Sequence, residues 1–329
     1  MTLHINESEV RSVLTMAMAL EAVEDSLRKQ ARGDVVVQPR RRFELPQGFF
    51  HYMAAADYAA GYIAEKQYTY VAGKIRFLVL LYEIATGDLL AQIEAEYMGQ
   101  LRTGAASGIA TKFLARFDSR VVAIIGTGGQ ARTQLEAIAG TRKIVFARAY
   151  GRNAARREKF CSEMSEHLNF PVYPAASAKE ALEGAEIICT ATTSSQPVIT
   201  GVDVAPGMHL NAIGVNHAHK RELDGPAVNC AQLIVTDSLE QARQEAGDLI
   251  LAFDQDESRW SGVKLLADVV GGNIHGRTNV NEVTLFKSNG IASWDLAVAV
   301  KVLARAREKK LGRELPLWTD TNSSYPRKS

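Results

Sequence analysis

The stretch VVAIIGTGGQA, residues 121–131, is an apolar run of strand-forming residues that leads directly into a glycine-rich turn. Gly126 permits a sharp turn, Gly128 permits close approach of the backbone to a phosphate, and the small Ala131 lets the next helix lie against the strand. A helix that begins at such a turn points its free N–H groups at a pyrophosphate. Because a helical pattern follows over residues 134–138, the stretch predicts a dinucleotide site. The alternative is an ordinary strand-to-helix turn with nothing bound.

Further apolar runs alternate with helical stretches after this turn. Together with 121–125, they cover residues 144–149, 186–191, 209–213 and 233–236. Such alternation is typical of a parallel sheet with helices on its faces, so we expect an α/β fold class with a Rossmann-type parallel sheet domain over residues 119–290. Ligand sites in these sheets lie outside the carboxyl ends of the strands, so the loops after Ile125, Ala191 and Ile213 should face the cleft.

The sequence before residue 119 has a different pattern. Apolar residues at helical spacing predict a helix from Thr15 to Arg32, with Thr15 as its N-cap and Gly33 at its end. Residues 35–93 are rich in β-branched and aromatic side chains and predict a mixed sheet, and residues 104–117 have a helical pattern.

Near the end of the chain, Ser293 is predicted to cap a helix that runs through Lys310 and stops at Gly312. We expect this helix to return to the N-terminal part of the chain. Residues 1–118 with 291–329 should then form a mixed α+β domain for substrate binding and dimerisation.

Composition indicates a globular protein with a sizeable core, because 47% of the 329 residues are hydrophobic and 23% are charged. The formal net charge of +1 gives no electrostatic case for binding nucleic acid or an anionic membrane. No stretch reaches eighteen apolar residues and no export signal is recognisable, so we expect a cytoplasmic protein.

The cysteines and histidines do not predict a metal site. Cys161, Cys189 and Cys230 are odd in number and lack C-x-x-C spacing, which favours reduced, mostly buried thiols. His217 and His219 are close together, but no further His or Cys stands at ligand spacing, so two exposed loop histidines are expected.

The end of the second strand bears on the choice of dinucleotide. Proteins that bind NAD usually place an acidic side chain there for the ribose 2′-hydroxyl, whereas an arginine accommodates the 2′-phosphate of NADP. Residues 147–153 contain no carboxylate, and Arg152 is followed by Arg156 and Arg157. The pattern favours NADP(H) over NAD(H). Alternatively, the arginines form a solvated helix start, Tyr150 covers the adenine and NAD is the working cofactor.

Four segments together resemble the ornithine cyclodeaminase and μ-crystallin family. They are LRTGAAS at 101–107, IGTGGQA at 125–131, MHLNAIG at 208–214 with KRELD at 220–224, and GR at 276–277 through EVTLFKSNG at 282–290. The family includes cyclodeaminases, alanine dehydrogenase-like enzymes, reductases of imino acids or ketimines, and thyroid-hormone-binding crystallins. The resemblance implies a homodimer with a Rossmann domain, in which nicotinamide acts on an amino or imino acid.

Two basic residues match positions of this family beside the substrate. Arg102 resembles the arginine at the substrate-carboxylate and nicotinamide end of the cleft, and a guanidinium offers two parallel donors to a carboxylate. Its alternative is a helix-start arginine paired with Glu94 or Glu96. Lys66 matches the lysine beside the substrate, where it could bind a carboxylate or exchange a proton. Without the resemblance, Lys66 would be interpreted as a surface residue.

The carboxylate-binding arginine that the family carries near its N-terminus should fall within Pro39-Arg40-Arg41-Arg42. The spacing to Met53 favours Arg40. Alternate residues of a strand face the same way, so Arg40 and Arg42 can share one face and both are candidate substrate-binding residues. The alternative is an exposed basic edge strand.

The remaining predicted contacts follow from the glycine turn and from the resemblance. Asn289 is expected at the substrate, and Ser288 in the same loop at the cofactor. The full set of predicted cofactor-binding residues is Arg102, Thr103, Gly126, Thr127, Gly128, Gly129, Gln130, Tyr150, Arg152, Asn153, Thr192, Ile213, Gly214, Lys220 and Ser288.

Two positions depart from the cyclodeaminase pattern. Asn216 stands where the cyclodeaminases carry a proton-shuttling aspartate, and an amide can position a substrate but cannot act as a carboxylate base. Lys74 replaces a cofactor-contacting threonine and is expected to add a cation near the cleft. Both changes argue against ornithine as substrate.

The sequence therefore favours an NAD(P)H-dependent reductase of a small imino acid, or the reverse dehydrogenase, with Lys66, Arg102 and Asn216 at the catalytic centre. Iminosuccinate is a candidate substrate because of the surplus cations. Two alternatives are an ornithine cyclodeaminase-type lyase that uses NAD internally, and a non-catalytic small-molecule binding protein of the crystallin type.

Overall fold

Two sheets organise the computed structural model, which describes residues 1–317. In chain order, the strands are β1 (Thr2–Ile5), β2 (Val35–Leu45), β3 (Gly48–Asp57), β4 (Tyr62–Val71), β5 (Lys74–Glu83), β6 (Leu89–Glu94), β7 (Val121–Ile125), β8 (Phe146–Tyr150), β9 (Val172–Pro174), β10 (Ile187–Thr190), β11 (His209–Ala212), β12 (Leu233–Thr236), β13 (Lys264–Leu265), β14 (Thr284–Lys287) and β15 (Arg313–Leu315). The helices are α1 (Glu7–Val13), α2 (Met16–Ala31), α3 (Glu96–Leu114), α4 (Gly129–Ala139), α5 (Ala154–Leu168), α6 (Ala178–Leu182), α7 (Gly225–Asn229), α8 (Leu239–Glu245), α9 (Gly247–Phe253), α10 (Leu266–Gly271) and α11 (Ala292–Glu308), with 3₁₀ turns at Gly201–Asp203 and Glu257–Gly262.

The second sheet confirms the predicted α/β class. Its eight strands lie in the order β13-β12-β14-β11-β10-β7-β8-β9, and every pairing is parallel. β7 ends at Ile125 and is followed by Gly126, whose φ of +113° lies in the region that favours glycine. A Cβ there would lie 2.4 Å from the Ala191 carbonyl oxygen, so no larger residue fits without a shift of the backbone. α4 starts three residues later, as the glycine pattern predicts.

The first sheet confirms the predicted mixed sheet. Its order is β15-β1-β6-β5-β4-β3-β2, with antiparallel pairings except for the parallel pair β1–β6. α11 packs on one face of this sheet and buries Trp294, while α2 packs against α11 and α3. Thr15 caps α2 by accepting a hydrogen bond from the Met18 amide, and Gly33 follows the helix with a φ of +84°, as predicted.

Some predicted element boundaries are wrong. α3 begins at Glu96 rather than near residue 104, because its glycines allow close packing: a Cβ at Gly104 would lie 2.3 Å from the Thr133 carbonyl oxygen of α4. Ser293 does not cap α11. It lies buried inside the first turn while Ile291 holds the N-cap position, and the helix ends at Glu308 rather than Lys310.

The division into domains at residues 118/119 and 290/291 stays a prediction. Residues 318–329 of the predicted second unit lie outside the described part of the chain. Within residues 1–317, no helix combines the length and the apolar character that a membrane span requires.

Candidate functional site

A cleft lies between the carboxyl ends of the parallel strands and the first sheet. Its cavity of about 390 Å³ is of the size that holds small molecules. The loops after β7, β10 and β11 form one side, as predicted, and β4 and α3 form the opposite side with Lys66 and Arg102. The cleft therefore brings the glycine turn and the two predicted catalytic cations together.

A second cavity of about 470 Å³ continues along the glycine turn. It shares Gly128 and residues 191–193 with the first cavity, so the two form one groove. Of the predicted cofactor-binding residues, all except Lys220 line this groove. Lys220 lies in the loop that follows β11, outside both cavities.

The start of α4 can hold a pyrophosphate. Gly128 occupies the N-cap position and no side chain caps the helix, so the first N–H groups of α4 are free for a ligand. A Cβ built at Gly128 would meet nothing within 4 Å, which shows open space in front of these donors. Tyr150, Arg152 and Arg156 line the far end of the groove, where an adenosine would lie. The residues present therefore fit a nicotinamide dinucleotide.

The centre of the cleft contains a buried triad of charges. Lys66 on β4 and Arg102 on α3 both contact the same oxygen, Oδ1 of Asp295 on α11. The Lys66 Nζ lies 2.8 Å from it and the Arg102 Nε lies 3.1 Å from it. Asp295 is fully buried, and Lys66 and Arg102 are 3% and 5% exposed. Burial rules out the alternatives of a surface lysine and of an arginine paired with Glu94 or Glu96.

These three groups leave one positive charge unbalanced in a buried site. Arg102 Nη1 has no hydrogen-bond partner among the described residues, although it is buried beside the cleft. An unpaired buried donor of this kind is costly unless an acceptor arrives. Burial and the nearby Arg102 lower the pKa of Lys66 to about 8, against the opposing effect of Asp295. The arrangement can bind an anion and exchange a proton near neutral pH.

Two glycines make room for these cations. A Cβ at Gly99 would lie 3.0 Å from Lys66 Nζ. A Cβ at Gly290 would lie 2.5 Å from Arg102 Nη1, and the φ of Gly290 is +80°. An alanine at Gly290 would therefore require Arg102 to move, whereas one at Gly99 would require Lys66 Nζ to give by only a few tenths of an ångström.

Arg40 also lines the cleft, but most of its donors are engaged. Its Nη1 lies 2.5 Å from Glu245, and its Nη2 donates to the carbonyl oxygens of Asn289 and Gly290. Only its Nε lacks a partner within residues 1–317. Arg42, the other predicted substrate-binding arginine of β2, is not among the cleft residues. The strand shifts register between Gln38 and Arg41, yet Arg40 and Arg42 both line a further cavity of about 420 Å³ together with Asn216. The role of Arg42 in substrate binding stays a prediction.

The loop at residues 288–290 is held from below by Asp237, which the sequence reasoning missed. One oxygen of Asp237 accepts hydrogen bonds from the Ser288 hydroxyl and from the amides of Asn289 and Gly290. Ser288 and Asn289 both line the cleft, as predicted. The side-chain oxygen and nitrogen of Asn289 are buried without a partner among the described residues, so this amide can both donate to and accept from a ligand.

Glu222 plays a similar part under the other side of the groove. It accepts hydrogen bonds from the Thr190 hydroxyl and from the amides of Thr192 and Gly214, at 2.7 to 2.8 Å. Burial raises the pKa of its carboxyl group. Glu222 lies in the KRELD segment. Asp295 follows a tryptophan in an otherwise apolar run, and an acidic residue in such a run is a sequence signal that could have identified Asp295.

Two further predictions concern the surroundings of the cleft, and one concerns metal binding. Asn216 lines it, as expected. Lys74 lies exposed at the start of β5 and does not line the cavity, so the prediction of an added cation near the cleft is wrong for this chain. No group of three or more His, Cys, Asp or Glu residues in 1–317 could hold a metal ion.

The comparisons with known proteins agree with this geometry. The family model of the ornithine cyclodeaminase/mu-crystallin family matches residues 2–310. A Delta(1)-pyrroline-2-carboxylate reductase of Bacillus cereus is 36% identical over 242 residues, which cover 73% of this chain and 74% of that protein.

Solved structures match over nearly the whole length. The Delta(1)-pyrroline-2-carboxylate reductase of Thermococcus litoralis, in complex with NADH and L-proline, has a TM-score of 0.91 at 34% identity and covers 95% of this chain and 100% of its own. An archaeal alanine dehydrogenase dimer with bound NAD has a TM-score of 0.90 at 33% identity, with 96% and 99% covered. The iminosuccinate reductase of Paracoccus denitrificans, in complex with NAD⁺, has a TM-score of 0.90 at 26% identity, with 96% and 99% covered. The glycine turn opens on a groove that has a buried lysine and arginine at its end. Together with the match over residues 2–310, this geometry shows that the chain belongs to the ornithine cyclodeaminase/mu-crystallin family.

Proposed function

We propose that this protein is an NAD(P)H-dependent reductase that converts a small imino acid into an L-amino acid, or catalyses the reverse reaction. The observation that carries the proposal is the unbalanced positive charge of Lys66, Arg102 and Asp295 at the end of the groove. A carboxylate neutralises that charge. Relatives of this chain are reductases and dehydrogenases of imino and amino acids, and the chain is an oxidoreductase that acts on a carbon–nitrogen bond.

The reaction balances as imine, NAD(P)H and one proton giving amine and NAD(P)⁺. A bound nicotinamide supplies the hydride for the imine carbon. Arg102 holds the substrate carboxylate through its guanidinium group, and Lys66 supplies the proton for the nitrogen, because its lowered pKa places proton release near neutral pH. Fixing the acceptor beside the donor contributes several kcal/mol through proximity.

Asn216 and Asn289 orient the substrate by hydrogen bonds. Both line the cleft, and neither side chain ionises. An amide at position 216 favours net reduction over cyclodeamination, since the family's proton-shuttling aspartate is absent there.

We also propose a preference for NADP(H). Arg152 and Arg156 line the cavity at the adenosine end, and no acidic side chain is among the residues that form this part of the groove. Arg157, by contrast, donates to the Gly151 carbonyl oxygen. Two arginines and no carboxylate suit a 2′-phosphate better than a free 2′-hydroxyl.

We also propose that the protein acts as a homodimer. The face of the first sheet that points away from α11 carries large apolar side chains, among them Phe43, which is 57% exposed and stacks with Phe50 and Tyr52. Apolar faces of this kind mark protein–protein contacts. The archaeal alanine dehydrogenase with the same fold is a dimer.

A kinetic panel tests the proposed activity. The enzyme is mixed with NADPH or NADH, and the absorbance of the reduced cofactor is followed. The substrates are pyruvate, oxaloacetate or glyoxylate, each with ammonia or methylamine, and preformed Δ1-pyrroline-2-carboxylate. We expect amine-dependent oxidation of the cofactor with at least one partner. Lys66→Gln should abolish it, and Lys159→Gln on the exposed side of α5 should not. Absence of oxidation with every partner would refute the reductase, and conversion of ornithine to proline without net change of cofactor would identify a cyclodeaminase instead.

A further inference from the structure

A row of three polar side chains crosses the first sheet beside the cleft. Arg42 on β2 is the direct cross-strand neighbour of His51 on β3, and His51 is the direct neighbour of Tyr68 on β4. Directly opposed residues of neighbouring strands lie on the same face of a sheet. Arg42 Nε donates to His51 Nε2 at 2.5 Å, and His51 Nδ1 contacts the Tyr68 hydroxyl. Tyr68 alone of the three lines the cleft.

Arg42 determines which nitrogen of His51 carries the proton. A guanidinium has only donors, so the Nε2 that faces it must be an acceptor. Burial and the charges of Arg40 and Arg42 lower the pKa of His51 to about 3, with His217 acting in the same direction. The imidazole is therefore neutral, and its single proton resides on Nδ1.

The position of the proton on His51 determines whether the Tyr68 hydroxyl donates or accepts in their hydrogen bond. Because Nδ1 donates to the Tyr68 oxygen, that oxygen is the acceptor in this contact, and its own proton points elsewhere. Burial raises the pKa of Tyr68, so the proton stays on the phenol at neutral pH. Within residues 1–317 the hydroxyl has no other hydrogen-bond partner. Tyr68, which lines the cleft, therefore retains one phenolic proton that it can donate to a ligand.

The position of this donor indicates what it binds. Tyr68 follows Lys66 by two residues on the same face of β4, which separates their Cβ atoms by about 7 Å. Lys66 and Arg102 take the carboxylate and nitrogen end of the substrate, as argued for the proposed function, so Tyr68 lies toward the substrate side chain. Met53 and Phe77 are the apolar neighbours in this part of the cleft. The Tyr68 hydroxyl beside these apolar groups, with the unpartnered Nε of Arg40 in the same cleft, selects for an acceptor on the substrate side chain.

We propose that Tyr68 is a specificity-determining residue that donates a hydrogen bond to an oxygen atom on the side chain of the imino acid, with His51 and Arg42 as positioning residues. The inference rests on the proposed function for the orientation of the substrate. It assigns the substrate to the class of imino acids whose side chain carries a hydroxyl, carbonyl or carboxylate oxygen.

Ligand binding tests the inference without requiring turnover. Succinate and butyrate have similar length, but only succinate carries an oxygen at the far end. Calorimetry in the presence of the oxidised cofactor should show tighter binding of succinate to the wild type. Tyr68→Phe should reduce that preference by about 10- to 100-fold, the range expected for loss of a hydrogen bond to a charged acceptor. Tyr70→Phe removes a hydroxyl two residues further along β4, outside the cleft, and serves as the matched control.

Turnover supplies a second readout. With ammonia, 3-hydroxypyruvate and 2-oxobutyrate give imines of similar size, one with and one without a side-chain oxygen. The ratio of their kcat/KM values should fall by about 10-fold or more in Tyr68→Phe, whereas general damage to the fold would lower both values alike. His51→Ala should lower the same ratio, and its effect should vanish in the Tyr68→Phe background.

The tautomer of His51 is observable by ¹⁵N NMR of histidine-labelled protein, with His51→Gln used to assign the resonance. We expect the Nδ1-protonated neutral form throughout pH 6 to 9. The inference would be overturned by a His51 ring protonated on Nε2, or by a kcat/KM ratio that is unchanged in Tyr68→Phe. Equal binding of succinate and butyrate, or no binding of either, would also overturn it. If the wild type bound the acids with the expected preference but oxidised no cofactor, the proposed function would fail and the assignment of Tyr68 would stand.

Discussion

The Lys66 ammonium and the Asp295 carboxylate, 229 positions apart in the chain, form an ion pair of 2.8 Å that is almost completely buried. A buried pair of this kind stabilises the protein only while both partners are present. Arg102 contacts the same oxygen, so one carboxylate fixes the positions of two cations. The geometry of the proposed substrate site therefore depends on helix α11 as much as on β4.

The pH dependence of reduction should follow the protonation of Lys66. Since Lys66 donates a proton and its pKa is lowered to about 8, kcat/KM should be highest below pH 8 and fall as the pH rises through that value. A preformed cyclic imine as substrate avoids the pH dependence of ammonia. Asp295→Asn removes the group that raises the pKa of Lys66, so the fall should move to lower pH. An unchanged profile in Asp295→Asn would contradict this role of the ion pair.

Arg102→Lys should weaken substrate binding although the charge is kept. A lysine cannot contact Asp295 through one nitrogen and the substrate through another in the fixed geometry of a guanidinium. We expect kcat/KM to fall by about 10- to 100-fold, mostly through KM. Arg132→Lys, at a half-exposed ion pair with Glu163, is the control and should leave both constants close to wild type. Equal effects of the two substitutions would refute the role of Arg102.

Gly290→Ala should disturb the site through contact with Arg102. A Cβ at this position would lie 2.5 Å from Arg102 Nη1, so the guanidinium must move. A displacement of about 1 Å in a positioned group can lower kcat/KM by 100-fold. Gly73→Ala is the matched control, because Gly73 has the same φ of +80° but meets nothing within 4 Å. Thermal unfolding should show a similar destabilisation for both variants, whereas only Gly290→Ala should lose activity.

Replacing Arg152 and Arg156 by alanine should change the cofactor preference. Both side chains line the adenosine end of the groove, and loss of charged contacts to a 2′-phosphate should raise the KM for NADPH by about 10- to 100-fold. The KM for NADH should change much less. Lys159→Ala, on the helix that carries Arg156 but outside the cavity, controls for general loss of positive charge. An NADH preference in the wild type would remove the proposed role of these arginines.

Phe43→Lys should dissociate the proposed dimer. A charge within an apolar contact is not compensated there, so sedimentation should show a monomer at concentrations where the wild type is dimeric. Phe117→Lys is the control: this phenylalanine is 95% exposed and lies after α3, away from the sheet face. A wild type that sediments as a monomer would contradict the dimer itself.

The regular elements were predictable where hydrophobic runs and glycines determine them. The strand 121–125 is observed as predicted, and 209–213 ends one residue early. β14 was missed, because its final residue Lys287 suggests a surface position. In the structure Lys287 is fully buried and forms an ion pair of 2.9 Å with Asp248, a partner that no local pattern reveals.

The residues of the candidate site were also predictable only in part. The glycine turn could be interpreted from local sequence alone, whereas Lys66 and Arg102 were identified through the resemblance. Asp295 and Asp237 were missed because their roles depend on contacts with residues more than fifty positions away. The register shift between Gln38 and Arg41 was not predictable from the sequence, and it places Arg42 outside the cleft but in a further cavity that Arg40 and Asn216 also line.

Glu222 has a consequence for how ligands enter and leave. Its carboxylate joins the loop after β10 to the loop after β11, so neither of these loops can move outward alone without breaking a buried hydrogen bond. An opening that keeps both hydrogen bonds requires the two loops to move together. One buried carboxylate thereby couples the mobility of two stretches of backbone that both line the cleft.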